Sequence, residues 1–256
     1  MMSPGQFIVW AAIFGAMIGS FLNVCIYRLP RGLSIVRPPS SCPSCGRRLA
    51  WFENLPIVGW LALRGRCRTC HARISPRYVI IEALTLAMFA AAAWYYGETP
   101  IFWARTTLGC VLIVLFAIDL ELQLLPNAIT LPFIVVGFVF ACFIGPGWQA
   151  SLIGVLVGGG SLLVMFYLWL WLRKQEALGM GDPKMLAMIG AFLGWKLTIL
   201  TLVLASFSGS IVGVGLIVSR RARMQTLIPF GCFLAVGAAI AATAGQSLLD
   251  WYLAFF

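Results

Sequence analysis

Eight carboxylates are all the acid that this 256-residue chain carries, and two of them are placed to work together. Asp119 follows the apolar run Val-Leu-Ile-Val-Leu-Phe-Ala-Ile and starts the stretch Asp119-Leu-Glu-Leu-Gln-Leu-Leu-Pro126-Asn127, while Asp182 closes Gly179-Met180-Gly181-Asp182 ahead of Pro183 and Lys184. Two aspartates that share one proton can hydrolyse a peptide bond: one, ionised, activates water, and the other, protonated, donates to the scissile carbonyl. Gly179 and Gly181 would let backbone come close to an extended substrate, with Lys184 in support. The structural alternative for Asp182 is a helix N-cap with proline just inside the helix. Asp119 is harder to read that way, because a carboxylate at a helix C-terminus opposes the helix dipole. Glu121, two residues on, points to a different helix face and is a secondary candidate.

Four cysteines form a second constellation. Cys42-Pro43-Ser44-Cys45 and Cys67-Arg68-Thr69-Cys70 are two C-x-x-C pairs separated by 21 residues. That is zinc-ribbon spacing, and four thiolates would make a closed, structural site with no position left for water. Two disulfides or free thiols are the alternatives, disfavoured in a reducing compartment. Cys25, Cys110, Cys142 and Cys232 stand alone in or beside apolar runs and read as small packing residues. The single histidine, His71, follows Cys70 and reads as a solvated or supporting bystander of the metal site rather than a base for a thiol, and with no other histidine in the chain a two-histidine metal centre is excluded.

The elements that must position these groups are membrane helices. The chain is 61% hydrophobic and only 10% charged, with a mean hydropathy of +0.96. This excludes a water-soluble single-core enzyme, a disordered chain and a β-barrel. Apolar runs near 5–27, 78–96, 101–118, 127–144, 149–172, 184–195, 198–219 and 227–248 predict an all-α polytopic membrane protein of about eight transmembrane helices. Ten arginines against the one acid Glu53 crowd residues 28–77, and further basic residues sit at Arg173, Lys174, Arg220, Arg221 and Arg223. By the positive-inside rule all these lie on the cytoplasmic side, which puts both termini outside. The first apolar run lacks a basic flank and reads as a retained helix rather than a cleaved signal.

The expected organisation is a first transmembrane helix over 1–27, a small, loop-rich, zinc-ribbon-like cytoplasmic module over 28–77, kept from long helices by its prolines, and a membrane domain of about seven helices over 78–256. Two spans separate Asp119 from Asp182, so the chain crosses out and back and both reach the cytoplasmic face. The run Gly158, Gly159, Gly160 predicts a close helix-packing surface.

With these residues in place, the chain resembles the type IV prepilin peptidases, membrane aspartic proteases of bacterial pilus, type II secretion and competence systems. Gly19-Ser-Phe-Leu-Asn-Val-Cys-Ile-Tyr-Arg-Leu-Pro30 resembles the family's N-terminal signature. The C-x-x-C pairs with Asn54-Leu-Pro56, Gly59-Trp60, Arg64-Gly-Arg-Cys67 and Ile74-Ser-Pro-Arg-Tyr78 resemble its zinc loop. Asp119 with Pro126-Asn127, and Gly179-x-Gly181-Asp182-x-Lys184, resemble its two catalytic motifs. Asn127 departs from a common Asp, and Cys232 in Pro229-Phe-Gly-Cys232 from a common proline.

The resemblance implies a bacterial inner-membrane enzyme that cuts the short basic leader from prepilins and pseudopilins, usually after a glycine. In bifunctional members it also implies N-methylation of the new terminus, with S-adenosylmethionine as donor. No methyl-donor fingerprint is legible in the residues.

Two readings of other classes compete. A transporter using Asp119 and Asp182 as relay carboxylates would place them near the bilayer midplane, and an inert bundle with a docking knob would not need them. Nucleic-acid binding has no support, because topology and the metal site account for the positive charge. The oligomeric state is not legible.

Overall fold

A computed structural model describes residues 2–173, 179–219 and 229–254, so Lys174, Glu176 and the cluster Arg220, Arg221 and Arg223 lie outside the described residues. The helices are α1 (Pro4–Arg28), the short α2 (Val58–Ala62), α3 (Arg77–Tyr96), α4 (Pro100–Leu122), α5 (Asn127–Ile144), α6 (Trp148–Arg173), α7 (Gly181–Val218) and α8 (Phe230–Leu253). All but α2 are long and apolar enough to cross a membrane, seven among the described residues. Proline and polar caps set their starts. Ser3 accepts the Gln6 N–H while Gln6 Oε1 accepts the Ser3 N–H, a capping box with Pro4 just inside. Pro76, Pro126 and Pro229 precede α3, α5 and α8.

The chain divides into two compact units, Met1–Cys110 and Val111–Phe256. In the first, α1 and α3 run antiparallel and approach closely at two glycines. A Cβ on Gly15 would stand 2.7 Å from Phe89 Cβ, and one on Gly19 would stand 2.7 Å from Glu82 Cα. The aromatic core of Phe7, Phe89 and Phe102, with Ala11 and Ala93, packs where these helices meet α4.

The second unit is organised by α7. Its 38 residues would span about 57 Å as a straight helix, against a hydrocarbon core of about 30 Å. The helix instead breaks at Gly194, whose φ of 75° and ψ of 169° are glycine conformations. Leu186 O and Thr198 Cγ2, on opposite sides of the break, lie 2.6 and 3.1 Å from where a Gly158 Cβ would be, so the chain doubles back at Gly194. Sequence analysis had expected two runs here, 184–195 and 198–219. The structure resolves them as limbs 181–193 and 195–218 of a hairpin whose turn is the single residue Gly194.

The first limb is almost entirely buried. It packs antiparallel to α6, where the backbones of Gly154 and Gly190 meet directly and Ser151 Oγ donates to Ala191 O at 2.8 Å. Gly158 and Gly159 take the packing role expected of them, whereas Gly160 has nothing within 4 Å of its Cβ position. The second limb packs against α8, with Gly237 on Thr201 O and Gly245 on Leu197.

Candidate functional site

The two C-x-x-C pairs fold into matching turns. Cys42 N–H donates to Arg47 O and Gly46 N–H to Cys42 O, both at 2.9 Å; Cys67 N–H donates to Ala72 O at 2.9 Å and His71 N–H to Cys67 O at 3.0 Å. Each turn is closed by a single bridge, Ser41 with Arg48 and Arg66 with Arg73. Gly46 and His71 occupy equivalent left-handed positions, at φ 70° and 56°. His71 is thus an exposed turn residue, as its bystander reading expected.

The four sulfurs all lie within 4.8 Å of one another, with Cys42 Sγ and Cys70 Sγ 3.7 Å apart, and none is in a disulfide. A tetrahedron of thiolates about 2.3 Å from zinc has edges of about 3.8 Å, so the donor set and its spacing fit that metal. Backbone N–H groups point at the sulfurs. Those of Cys70 and Thr69 pull the Cys67 thiol down to about 6, and those of Cys45 and Ser44 lower Cys42.

Arg47 lies beside Cys67, and its Nη2 reaches both Glu53 oxygens at 2.8 and 2.9 Å. This contact, with the Ala50 N–H at 2.8 Å, holds the nearly inaccessible Glu53 carboxyl below the usual carboxylate range. The module is tied to α3 through Glu82, which accepts the Ile57 N–H at 2.7 Å.

The aspartates lie in the second unit. Asp119 occupies the last turn of α4, which runs four residues past the expected span end, and its side chain is buried. Its Oδ2 accepts the Cys232 N–H at 3.0 Å from the first turn of α8. Asp182 is the second residue of α7 and is also buried. Met180, not Asp182, takes the cap position, so the capping alternative does not describe this carboxylate. Asp119 Oδ2 lies beside Gly231 and Asp182 directly follows Gly181, and one side chain packs on both glycines.

Leu125, from the α4–α5 connection, wedges between their supports. Its Cδ1 is 3.2 Å from a Gly181 Cβ position and 3.1 Å from a Gly231 one. A Cβ on Gly179 would be 3.7 Å from Asp182 Oδ2, ordinary contact. Lys184 Nζ donates to Asn127 Oδ1 at 2.8 Å rather than to either aspartate, and Glu121 is exposed.

The structure therefore brings Asp119, Asp182, Gly179 and Gly181 to one end of this unit. Both carboxylates stand at helix ends rather than at mid-helix, which speaks against the relay reading. Sequence analysis placed Cys232 among packing residues. It is buried, but it also supplies a donor to Asp119, and Gly231 leaves the room, since a Cβ there would be 2.8 Å from Oδ2.

Residues 13–96 match the bacterial peptidase A24 N-terminal domain, and residues 106–214 match the type IV leader peptidase family. Among curated proteins the chain is 37% identical to a Prepilin leader peptidase/N-methyltransferase of Pseudomonas putida, over 96% of this chain and 94% of that protein. The chain belongs to the type IV leader peptidase family. Similar proteins of the same name occur in Pseudomonas aeruginosa, 35% identical over 98% of this chain and 95% of the relative, and in Aeromonas hydrophila, 36% identical over 95% and 93%. No solved structure matches. With seven helices long and apolar enough to span among the described residues, the chain is a multi-pass membrane protein, one matched region carrying the cysteine cluster and the other both aspartates.

Proposed function

We propose that this protein is an aspartic endopeptidase of the bacterial inner membrane, which removes the short basic leader of prepilins and pseudopilins at the cytoplasmic face and N-methylates the residue so exposed. The observation that carries the peptidase reading is that two buried carboxylates, Asp119 and Asp182, come to one end of a membrane helix bundle on glycines that share the Leu125 contact. The ionised member takes a proton from water as the oxygen attacks the scissile carbonyl carbon. The other gives its proton to the carbonyl oxygen, and collapse of the tetrahedral intermediate expels the amine with proton return. Helix starts support negative charge on either member, Asp182 in the first turn of α7 and Asp119 through the Cys232 N–H of α8. Leu125, Gly181 and Gly231 pack the site and keep bulk water from the pair.

The basic segment 28–77 supports the cytoplasmic orientation. Cys42, Cys45, Cys67 and Cys70 would hold a structural Zn²⁺, with Arg47 offsetting the negative charge of four thiolates. The methyltransferase half rests on the names of the relatives, with S-adenosylmethionine as the donor that such chemistry requires.

Mass spectrometry of a prepilin-like substrate incubated with purified enzyme and S-adenosylmethionine tests both halves. Loss of the leader plus one methyl mass is expected for wild type, and no cleavage for Asp119→Asn or Asp182→Asn. Cleavage by both variants would sink the aspartic mechanism.

A further inference from the structure

The first unit contains polar groups that neither the carboxylate pair nor the metal site uses. Glu82, inside α3, is buried among apolar helices, and its carboxylate accepts the Ile57 N–H at 2.7 Å. A carboxylate offers about four acceptor positions, and this N–H fills one.

One turn along the α1–α3 contact, Asn23 is 2% exposed. Its Nδ2 donates to Tyr78 O at 3.0 Å and Gly19 O at 3.3 Å, while its Oδ1 is buried with no hydrogen-bond partner. Gly19, whose Cβ position falls 2.7 Å from Glu82 Cα, brings the two helices together at this point. A buried acceptor left unmade costs about 1–3 kcal/mol, and a buried carboxylate costs more unless a donor answers it.

The buried Glu82 carboxylate and the Asn23 amide oxygen, one turn apart on the α1–α3 contact, suit a small cation with N–H groups.

We propose that Glu82 and Asn23 form a binding site for a primary ammonium group in the service of methyl transfer. This rests on the bifunctional reading above. Two reactants carry such a group, the methyl donor in its amino-acid portion and the trimmed substrate at its new N-terminus; in the second case the ammonium gives a proton to the Glu82 carboxylate, and the neutral amine takes the methyl from the donor's sulfonium, which leaves as the thioether. The site is formed entirely within the first unit, by residues remote in sequence from both catalytic aspartates.

The test uses the full-length enzyme in detergent, as wild type, Glu82→Gln and Asn23→Ala. Three readouts are taken: leader cleavage, methyl mass added, and equilibrium binding of two probes. The probes are S-adenosylmethionine and a leaderless pilin-like peptide with a free or acetylated N-terminus. Glu82→Gln keeps the shape and the Ile57 contact, so retained cleavage reports an intact fold.

The expected result is cleavage like wild type in both variants, with methyl addition and binding of one probe weakened about tenfold or more. Weakened S-adenosylmethionine binding assigns the site to the donor. Weakened binding of the free peptide, down to that of its acetylated form, assigns it to the acceptor. Methyl addition and binding of both probes at wild-type levels would overturn the proposal, as would a parallel loss of cleavage in both variants, which marks a purely structural role. Failure of wild type to cleave any pilin-like substrate would instead refute the peptidase reading, and the binding readouts would still decide the ammonium site.

Discussion

The Asp119 carboxylate closes the first turn of α8: its Oδ2 accepts the Cys232 N–H at 3.0 Å across 113 residues of chain. The first N–H groups of a helix have no partner within it, and α8 has no side-chain cap of its own, since Pro229 stands at the cap position. An acid at the C-terminal end of α4 is thereby offset by the N-terminal end of another helix. Both carboxylates of the pair thus lie at a helix start, Asp182 at that of its own helix and Asp119 at that of a neighbour.

The closeness of Gly231 to this contact makes it a sensitive probe. Gly231→Ala puts a methyl group 2.8 Å from Oδ2 and 3.1 Å from Leu125 Cδ1, so the carboxylate must move. Displacements of this kind cost up to about a hundredfold in rate. We expect kcat for leader cleavage to fall by about tenfold or more with KM little changed, in steady-state assays on a prepilin-like peptide.

Metal content checks the cysteine cluster. Purified wild type should carry one zinc per chain by elemental analysis, and Cys42→Ser or Cys67→Ser should lose it. A structural thiolate site contributes folding energy outright. Removal by chelator should therefore expose residues 28–77 to protease first and leave the membrane helices intact. Full zinc occupancy in both variants would contradict the ligand assignment.

Acid should loosen the same module. The Arg47 contact and the Ala50 N–H hold Glu53 below the usual carboxylate range in the folded state. A depressed carboxylate contributes stability that is present above its unfolded pKa of about 4.3 and is lost as pH falls through its folded value. Wild type followed by Trp51 and Trp60 fluorescence should weaken through that acid window. Glu53→Gln should be less stable at neutral pH and flatter across it.

Helix packing in the second unit separates two glycines of α6. Gly154 meets the Gly190 backbone directly, so Gly154→Val should lower stability by about 3 kcal/mol or more, read as a drop in Tm in detergent. Gly160→Ala, with nothing within 4 Å, should be neutral or slightly stabilising.

Much was legible in the chain because it is written locally. Apolar run length predicts the spans, and a C-x-x-C turn needs only six residues to aim two sulfurs, so both cysteine pairs and the helices emerge without knowledge of their neighbours. Counting spans places Asp119 and Asp182 at one face, because a chain that crosses twice must return.

The tertiary structure decided the rest. In a bilayer every lipid-facing side of a helix is apolar, so the hydrophobic pattern carries little information on how each helix is rotated or which residue it sets against its neighbour. That rotation puts Cys232 on Asp119, Leu125 between Gly181 and Gly231, Lys184 on Asn127, and Ile57 on Glu82. The hairpin at Gly194 is of the same kind: two apolar runs announced it, but only packing against the glycines of α6 fixed a one-residue turn.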